Sequence, residues 1–246
     1  MREILLDLHI HSVLSPCADI LMTPGNIIKK AIEKNIDVIS ITDHNSIKNV
    51  KSAREISAGK KIKIIPGIEV QSKEDIHLLS YFENLKDLNS YYELVYEGLN
   101  NIKNDEEKFG HQIIVDKNDQ FIDKEEKLLM NSTNYSLNEL VNLTNKFNGI
   151  PVPSHADRSF GLIKNLGFIP EELNIKFIEL NFNKTILQYY NQYPYLKKFQ
   201  LINNSDSHFL NQIEPKMKIN LKTQPTTKNI FKQIKKEQPK NYIISK

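Results

Sequence analysis

The sequence has a single cysteine, no tryptophan and no long apolar run. One cysteine in 246 residues excludes a disulfide framework and any zinc module built from several cysteines. No uninterrupted apolar run approaches the roughly 18 residues that cross a membrane. The first residues, MREILLDLHIHS, contain no apolar core of a signal peptide. We therefore expect a soluble, cytoplasmic protein with no membrane partner.

The chain also lacks a strong excess of charge, but its charges are unevenly distributed. It has 33 basic and 30 acidic residues, a formal net charge of +3. Residues 216–246 contain nine lysines and one glutamate, a net charge of +8, which leaves −5 for residues 1–215. Such a basic segment either contacts a polyanion such as nucleic acid or forms the solvated face of a helix. The second interpretation is the simpler one.

Short apolar runs alternate with amphipathic stretches along the chain. The strand-like runs are Ile4–Ile10, Val38–Thr42, Ile62–Val70, Ile76–Phe82, Ile150–Pro153, Phe177–Asn181 and Leu201–Asn203. Helical patterns follow Thr23-Pro24, a cap with proline at the first position, and Ser136, where Glu139 would complete a capping box. Tandem strand–helix units predict parallel strands, arranged as a barrel or as an open doubly wound sheet.

Residues 84–135 interrupt this alternation. The segment is rich in Asn, Asp, Glu and Lys, and residues 115–120 are typical of a hairpin turn. It is too short and polar to form its own core, so we interpret it as an insertion. The prediction is one domain over residues 1–246, with this insertion and the basic C-terminal segment 216–246.

Histidines and acidic residues collect at the ends of the strand-like runs. Asp7, His9 and His11 alternate along the first run, so their side chains share one face. The other positions are Asp43-His44, Glu69, His77, His155-Ala156-Asp157-Arg158 and Asp206-Ser207-His208. Because strand ends converge on one face in such folds, this pattern predicts a multinuclear metal site. His111 lies in the polar insertion, and we expect it to be structural.

In this order, the motifs resemble those of the PHP (polymerase and histidinol phosphatase) superfamily. They are Asp7-X-His9-X-His11, Thr42-Asp43-His44, Gly67-X-Glu69, Ser154-His155-X-Asp157-Arg158 and Ser205-Asp206-X-His208. The resemblance implies an α/β fold, a distorted seven-stranded (β/α) TIM-like barrel. It also implies two or three divalent metal ions, Zn, Mn or Fe, at the C-terminal ends of the strands.

The resemblance further implies a ligand set. The first metal would bind His9, His11, Glu69 and Asp206; the second Glu69, His77 and His155; the third His44, His208 and a residue of the loop after the first strand. For that loop residue we choose Asp19, whose oxygen matches the other ligands, with Cys17 as the alternative. Arg158 is the expected phosphate clamp, beside Glu69 and Asp206 as catalytic residues. We expect Asp43 and Asp157 to orient ligands.

These features predict a metal-dependent phosphoesterase that hydrolyses a small phosphorylated substrate, such as a nucleotide, by metal-activated hydroxide. Within that class, the alternatives are a histidinol-phosphate phosphatase and an exonuclease that acts on a short oligonucleotide. A metal amidohydrolase also begins with His-X-His, but it usually has a bridging lysine where Glu69 stands here. A non-catalytic metal-binding scaffold is the remaining alternative.

Overall fold

The computed structural model describes residues 2–180, 186–236 and 240–241, which form a mixed α/β fold. The strands are β1 (Arg2–Ile10), β2 (Val38–Ile41), β3 (Lys63–Ile64), β4 (Gly67–Gln71), β5 (His77–Tyr81), β6 (Ile113–Val115), β7 (Phe121–Lys124), β8 (Ile150–Pro153), β9 (Phe177–Glu179), β10 (Gln200–Ile202), β11 (Met217–Leu221) and β12 (Lys240–Asn241). The helices are α1 (Pro24–Glu33), α2 (Val50–Ser57), α3 (Leu85–Glu97), α4 (Glu106–Phe109), α5 (Leu137–Lys146), α6 (Leu162–Leu166), α7 (Ile186–Gln192) and α8 (Thr227–Lys236), with 3₁₀ turns at Pro194–Lys198 and Leu210–Gln212. Each predicted strand run contains an observed strand, and Asn181 of one run lies outside the described residues.

Local capping explains where two of the helices begin. At α1, the side chain of Thr23 accepts a hydrogen bond from the backbone N–H of Asn26, and Pro24 occupies the first turn. At α5, Ser136 and Glu139 form the predicted capping box. Both predicted helix starts are confirmed.

The strands in the described part of the chain belong to four sheets, and only some of the strand pairs are parallel. Strands β1, β2 and β3 are parallel neighbours, as are β9 and β10. By contrast, β4 pairs antiparallel with β5, and β5 pairs antiparallel with β8. The expectation of parallel strands throughout was wrong here, because only Ser72–Ile76 separate β4 from β5, and a parallel connection needs a crossover of a dozen residues or more.

Backbone hydrogen bonds beyond the strands connect the neighbouring sheets. The N–H of Asn45, after β2, donates to the carbonyl of Glu69 in β4. The N–H of Ala156, after β8, donates to the carbonyl of Glu179 in β9, and that of His11 donates to the carbonyl of Ser207. The described strands still form separate small sheets, so a complete TIM barrel is not formed by strand pairing.

A buried apolar cluster lies between these strands. It unites side chains from β1, β5, β8, β9 and β10, among them Leu6, Leu79, Val152, Phe177 and Ile202. These side chains come from different sheets, and their shared burial stabilises the arrangement of the sheets. The carboxyl end of β1, which carries His9, is thereby held against its neighbours.

The hairpin of the insertion and helix α8 of the basic segment pack against the rest of the described fold. Strands β6 and β7 form the predicted hairpin, and the side chain of Asn49 accepts from the N–H of Val115. In α8, Ile230, Phe231 and Ile234 are buried, whereas its lysines are exposed. The lysines of α8 therefore form a solvated helix face. None of the described helices is long and apolar enough to cross a membrane.

Candidate metal centre

Six of the seven histidines meet at one end of the strands. His9 and His11 lie at the end of β1, and His44 follows β2. His77 begins β5, which runs antiparallel to β4 and so starts at this same end. His155 follows β8 and His208 follows β10, and the rings form a chain of neighbours with centroids 4.4–6.1 Å apart.

The carboxylate of Glu69 lies at the centre of this cluster. Five imidazole nitrogens lie 3.2–3.4 Å from its oxygens, and they belong to His9, His11, His44, His77 and His155. The side chain is only 1% exposed. A carboxylate surrounded in this way can bridge two cations, because its two oxygens face different groups of histidines.

Asp206 is another carboxylate that contacts the histidines of the cluster. Its Oδ1 atom lies 3.3 Å from Nε2 of His9 and 3.4 Å from Nε2 of His11, while Oδ2 accepts a hydrogen bond from Arg158 at 2.8 Å. Asp206 has a positive φ of 52°, as does His155 with 29°. Such backbone conformations are uncommon for residues other than glycine and concentrate at functional sites.

The spacing of these donor atoms fits divalent metal ions. Nε2 of His9 lies 3.2 Å from Nε2 of His11, and Nδ1 of His77 lies 3.2 Å from Nε2 of His155. Two ligands on a tetrahedral zinc ion, with bonds of about 2.0–2.1 Å, lie about 3.3 Å apart. Among the described residues, the buried Oε2 of Glu69 has no hydrogen-bond partner, which leaves it free to bind a cation.

Hydrogen bonds on the far side of three rings orient them toward the cluster. Nδ1 of His9 lies 3.0 Å from Oε2 of Glu179, and Nδ1 of His11 lies 3.1 Å from Oγ of Ser15. Nδ1 of His208 lies 2.9 Å from the carbonyl oxygen of Asp206. With Nδ1 as the donor, Nε2 of each ring keeps its lone pair for a metal.

Glu179 is the residue that the motifs did not reveal. Besides contacting His9, its carboxylate accepts hydrogen bonds from the backbone N–H of His155 and from the side chain of Asn204. It connects the ends of β1, β8 and β10. The available signal was an acid inside the apolar run Phe177–Asn181, the same pattern that singled out Glu69.

Charge in the cluster keeps the carboxylates of Glu69 and Asp206 ionised at neutral pH. Burial opposes ionisation of Glu69, but His77 and His9 outweigh it and hold the pKa of this carboxyl well below its usual range. The pKa of Asp206 is lowered in the same way, against burial and chiefly by His9. Burial, reinforced by His208, lowers the pKa of His11 to about 4. The pKa of His9, by contrast, is raised well above its usual value, because burial is outweighed by the Glu179, Asp206 and Glu69 carboxylates. Since metals bind ionised carboxylates and neutral imidazoles, an ion at His9 would have to displace a proton.

Three groups of side chains bring donor atoms close enough to hold an ion. They are His9, His11 and Asp206; His44, Glu69 and His77; and His11, Cys17, His44 and His208. The first group contains three of the four residues expected for the first metal, without Glu69, and the second contains Glu69 and His77 with His44 in place of His155. His155 nevertheless lies 3.4 Å from Glu69.

The geometry favours Cys17 over Asp19 as the ligand from the loop after β1. Cys17 belongs to the third group of donor atoms. The carboxylate of Asp19 instead accepts the backbone N–H of Leu21 and belongs to none of the three groups. Burial, together with the Glu69 and Asp43 carboxylates, raises the pKa of the Cys17 thiol, so metal binding there would have to displace its proton.

The other acids near the cluster have supporting contacts. Asp43 accepts hydrogen bonds from the backbone and side chain of Ser12 and from Oγ of Ser15, the hydroxyl next to His11. Asp157 accepts a hydrogen bond from the hydroxyl of Tyr189. His111 lies outside the cluster, as expected, and pairs with Glu106 on the surface.

A cavity of about 520 Å³ opens onto the cluster. Its walls include His44, His155, Arg158, Phe160 and Lys164. A ligand of nucleotide size fits in a cavity of this volume. The positive side chains of Arg158 and Lys164 in its lining suit a phosphate group.

Comparison with known proteins assigns the chain to a family. The family model of the PHP domain matches residues 7–224. The chain belongs to the PHP domain family. Membership places this PHP protein among metal-dependent hydrolases, which agrees with its cluster of histidines and carboxylates.

Individual relatives of this PHP protein include nucleases. Over 81 residues it is 33% identical to the 5′-3′ exoribonuclease Rnm of Salmonella typhimurium. The aligned region covers 31% of this chain and 27% of the relative. The Escherichia coli protein of the same name is 32% identical over 81 residues. The chain thus matches about a quarter of the length of these relatives. The fold is similar to the lesion-specific endonuclease PfuEndoQ of Pyrococcus furiosus, with a TM-score of 0.75 and 21% identity over 98% of this chain and 58% of that chain.

We expect Cys17→Ala to remove one metal position while leaving the others occupied. The thiolate would be a soft ligand in a group otherwise formed by imidazoles. In the Co²⁺-loaded protein, the near-ultraviolet thiolate-to-metal absorption should be present in the wild type and absent from this variant. Asp19→Ala is the matched control and should retain the band. Absence of the band from the wild-type protein would instead contradict Cys17 as a ligand and support the original choice of Asp19.

Proposed function

We propose that this PHP-family protein is a metal-dependent phosphoesterase that hydrolyses a phosphomonoester, with a nucleotide or similar small metabolite as substrate. One observation carries the proposal: the buried Glu69 carboxylate lies within 3.4 Å of five histidine nitrogens at the end of an open cavity. The residues predicted as ligands from the motifs fit this arrangement, with Cys17 replacing Asp19. Two or three Zn, Mn or Fe ions are the proposed cofactors.

Bound divalent ions would lower the pKa of a water molecule and neutralise charge on the phosphoryl oxygens. Glu69 and Asp206 hold this centre, and their carboxylates keep the His9 and His11 rings in place. Arg158 is 42% exposed and uses one N–H for Asp206, so the rest of its guanidinium can contact a phosphoryl oxygen. Arg158 is therefore the proposed phosphate clamp, beside Glu69 and Asp206 as catalytic residues.

We further propose that the linked sheets form a distorted seven-stranded barrel. Strands β1, β2, β4, β5, β8, β9 and β10 follow one another through strand pairing or through the backbone bonds at Asn45, Ala156 and His11. The cluster lies at one end of this ring, which is where barrel enzymes place their active sites. The whole chain would then be one domain.

A short oligonucleotide is the second candidate substrate, because the named relatives include an exoribonuclease and an endonuclease. Helix α8 of the basic segment does not strengthen this candidate. Ile230 and Phe231 of α8 pack with Ile4, at the amino end of β1, whereas His9 and His11 lie at its carboxyl end. The lysines of α8 are therefore displaced from the cluster along β1.

Metal removal tests the proposed function. Chelator-treated protein should lose hydrolysis of AMP and of para-nitrophenyl phosphate, and Mn²⁺ or Zn²⁺ should restore it. Histidinol phosphate and a short 5′-phosphorylated oligonucleotide, assayed alongside, distinguish the candidate substrates. The proposal fails if metal-loaded protein hydrolyses no member of this panel.

A further inference from the structure

An exposed aromatic ring stands beside the metal cluster. The side chain of Phe160 is 46% exposed and lines the cavity that opens onto the cluster. One face of the ring stacks on His77, with centroids 5.0 Å apart and planes only 14° from parallel. With one face covered by His77, the exposed part of the ring is available to a ligand in the cavity.

The backbone holds Phe160 in an unfavourable conformation. Its φ of +59° lies in the left-handed region, which a bulky side chain rarely adopts. The carbonyl of Phe160 accepts the N–H of His77 at 2.8 Å, and the N–H of Gly161 donates to the carbonyl of Arg158. A Cβ atom at position 161 would lie 2.4 Å from the carbonyl oxygen of His155, so the tight turn requires glycine. Strain maintained in this way is typical of functional sites.

The neighbours of Phe160 supply complementary chemistry. Arg158 and Lys164 line the same cavity and offer positive charge for a phosphate group. Met130, an adaptable apolar side chain, lines it as well. A nucleotide combines an aromatic base with a phosphate and can use both features at once. A sugar phosphate would leave the Phe160 ring uncovered.

We propose that Phe160 is a stacking platform for the base of a nucleotide substrate. The inference rests on the proposed function, since it places the scissile phosphate at the cluster and the base on Phe160. Stacking of bases on aromatic side chains tolerates different bases, because every base has a π-face. Phe160 thus selects nucleotide phosphates over phosphate esters that lack an aromatic group.

Paired substrates test this selectivity. AMP and ribose 5-phosphate share the sugar and the phosphate and differ in the base. For Phe160→Leu, which keeps apolar bulk but removes the ring, we expect kcat/KM for AMP to fall about 10-fold through KM. The value for ribose 5-phosphate should stay unchanged, and Phe160→Tyr should retain wild-type selectivity. Equal losses on both substrates, or no loss on either, would overturn the proposal.

A fluorescence experiment separates this inference from the proposed function. The chain has no tryptophan, so Phe160→Trp introduces a single indole at the platform. AMP should quench its emission, ribose 5-phosphate should not, and Phe121→Trp, exposed on β7 outside the cavity lining, should respond to neither. Absence of quenching by AMP refutes the stacking platform. If the protein hydrolyses no phosphoester, the proposed function fails, while the quenching still decides the role of Phe160.

Discussion

Glu69→Gln is expected to abolish hydrolysis and to lower the bound metal per chain. The substitution keeps the size of the side chain but removes its charge, and it directs an amide NH₂ at nitrogens that must keep their lone pairs for metal. Even residues that only orient metal ligands cost 10–100-fold when they are replaced. A carboxylate that contacts five histidines should therefore cost more than about 100-fold in kcat/KM. Activity and elemental analysis on the same sample measure both effects.

The effect of Glu69→Gln on thermal stability is an independent test of metal binding. Metal bound only by the folded state raises the free energy of unfolding. The difference in melting temperature between metal-loaded and metal-free protein should therefore be large in the wild type and small in the variant. Glu97→Gln, an exposed glutamate at the end of α3, is the matched control and should behave as wild type. A Glu69→Gln protein with full metal content would contradict the central position of this carboxylate.

The histidines of the site were predictable because strand ends and polar side chains coincide in the sequence. His9, His11, His44 and His155 each lie at or just after an apolar run, and chains of this class bring such ends to one face. The antiparallel direction of β5 does not separate His77 from the other histidines. A tight turn reverses the chain after β4, so His77 at the start of β5 lies next to Glu69 rather than at the opposite end.

Two features of the site depended on distances that a sequence does not contain. The loop after β1 offers both Cys17 and Asp19, and ligand chemistry alone favoured the oxygen. The fold places the Asp19 carboxylate in a local turn with Leu21 and brings Cys17 to His44 and His208. The contact between Glu179 and His9 could not be predicted either, because the two residues lie 170 positions apart along the chain.

Glu179→Gln is expected to weaken metal binding about 10–100-fold without removing a ligand. The Glu179 carboxylate accepts from three donors: the His9 ring, the backbone N–H of His155 and the Asn204 amide. A glutamine offers one acceptor oxygen and an NH₂ group, so at least one of these donors would face another donor. When the NH₂ group occupies the Oε2 position, the His9 ring loses the contact that fixes its proton on Nδ1, and Nε2 becomes a poorer ligand.

The response to added metal distinguishes the positioning role of Glu179 from the bridging role of Glu69. Because Glu179→Gln retains every proposed ligand, raising free Mn²⁺ or Zn²⁺ should restore much of its activity, with affinity followed by competition against a chelator. Glu69→Gln should stay inactive at the same concentrations, since its bridging carboxylate is gone. Unchanged metal affinity in Glu179→Gln would show that the His9 ring is held by its other neighbours. Rescue of both variants alike would instead remove the distinction between the acid that bridges the histidines and the acid that orients one of them.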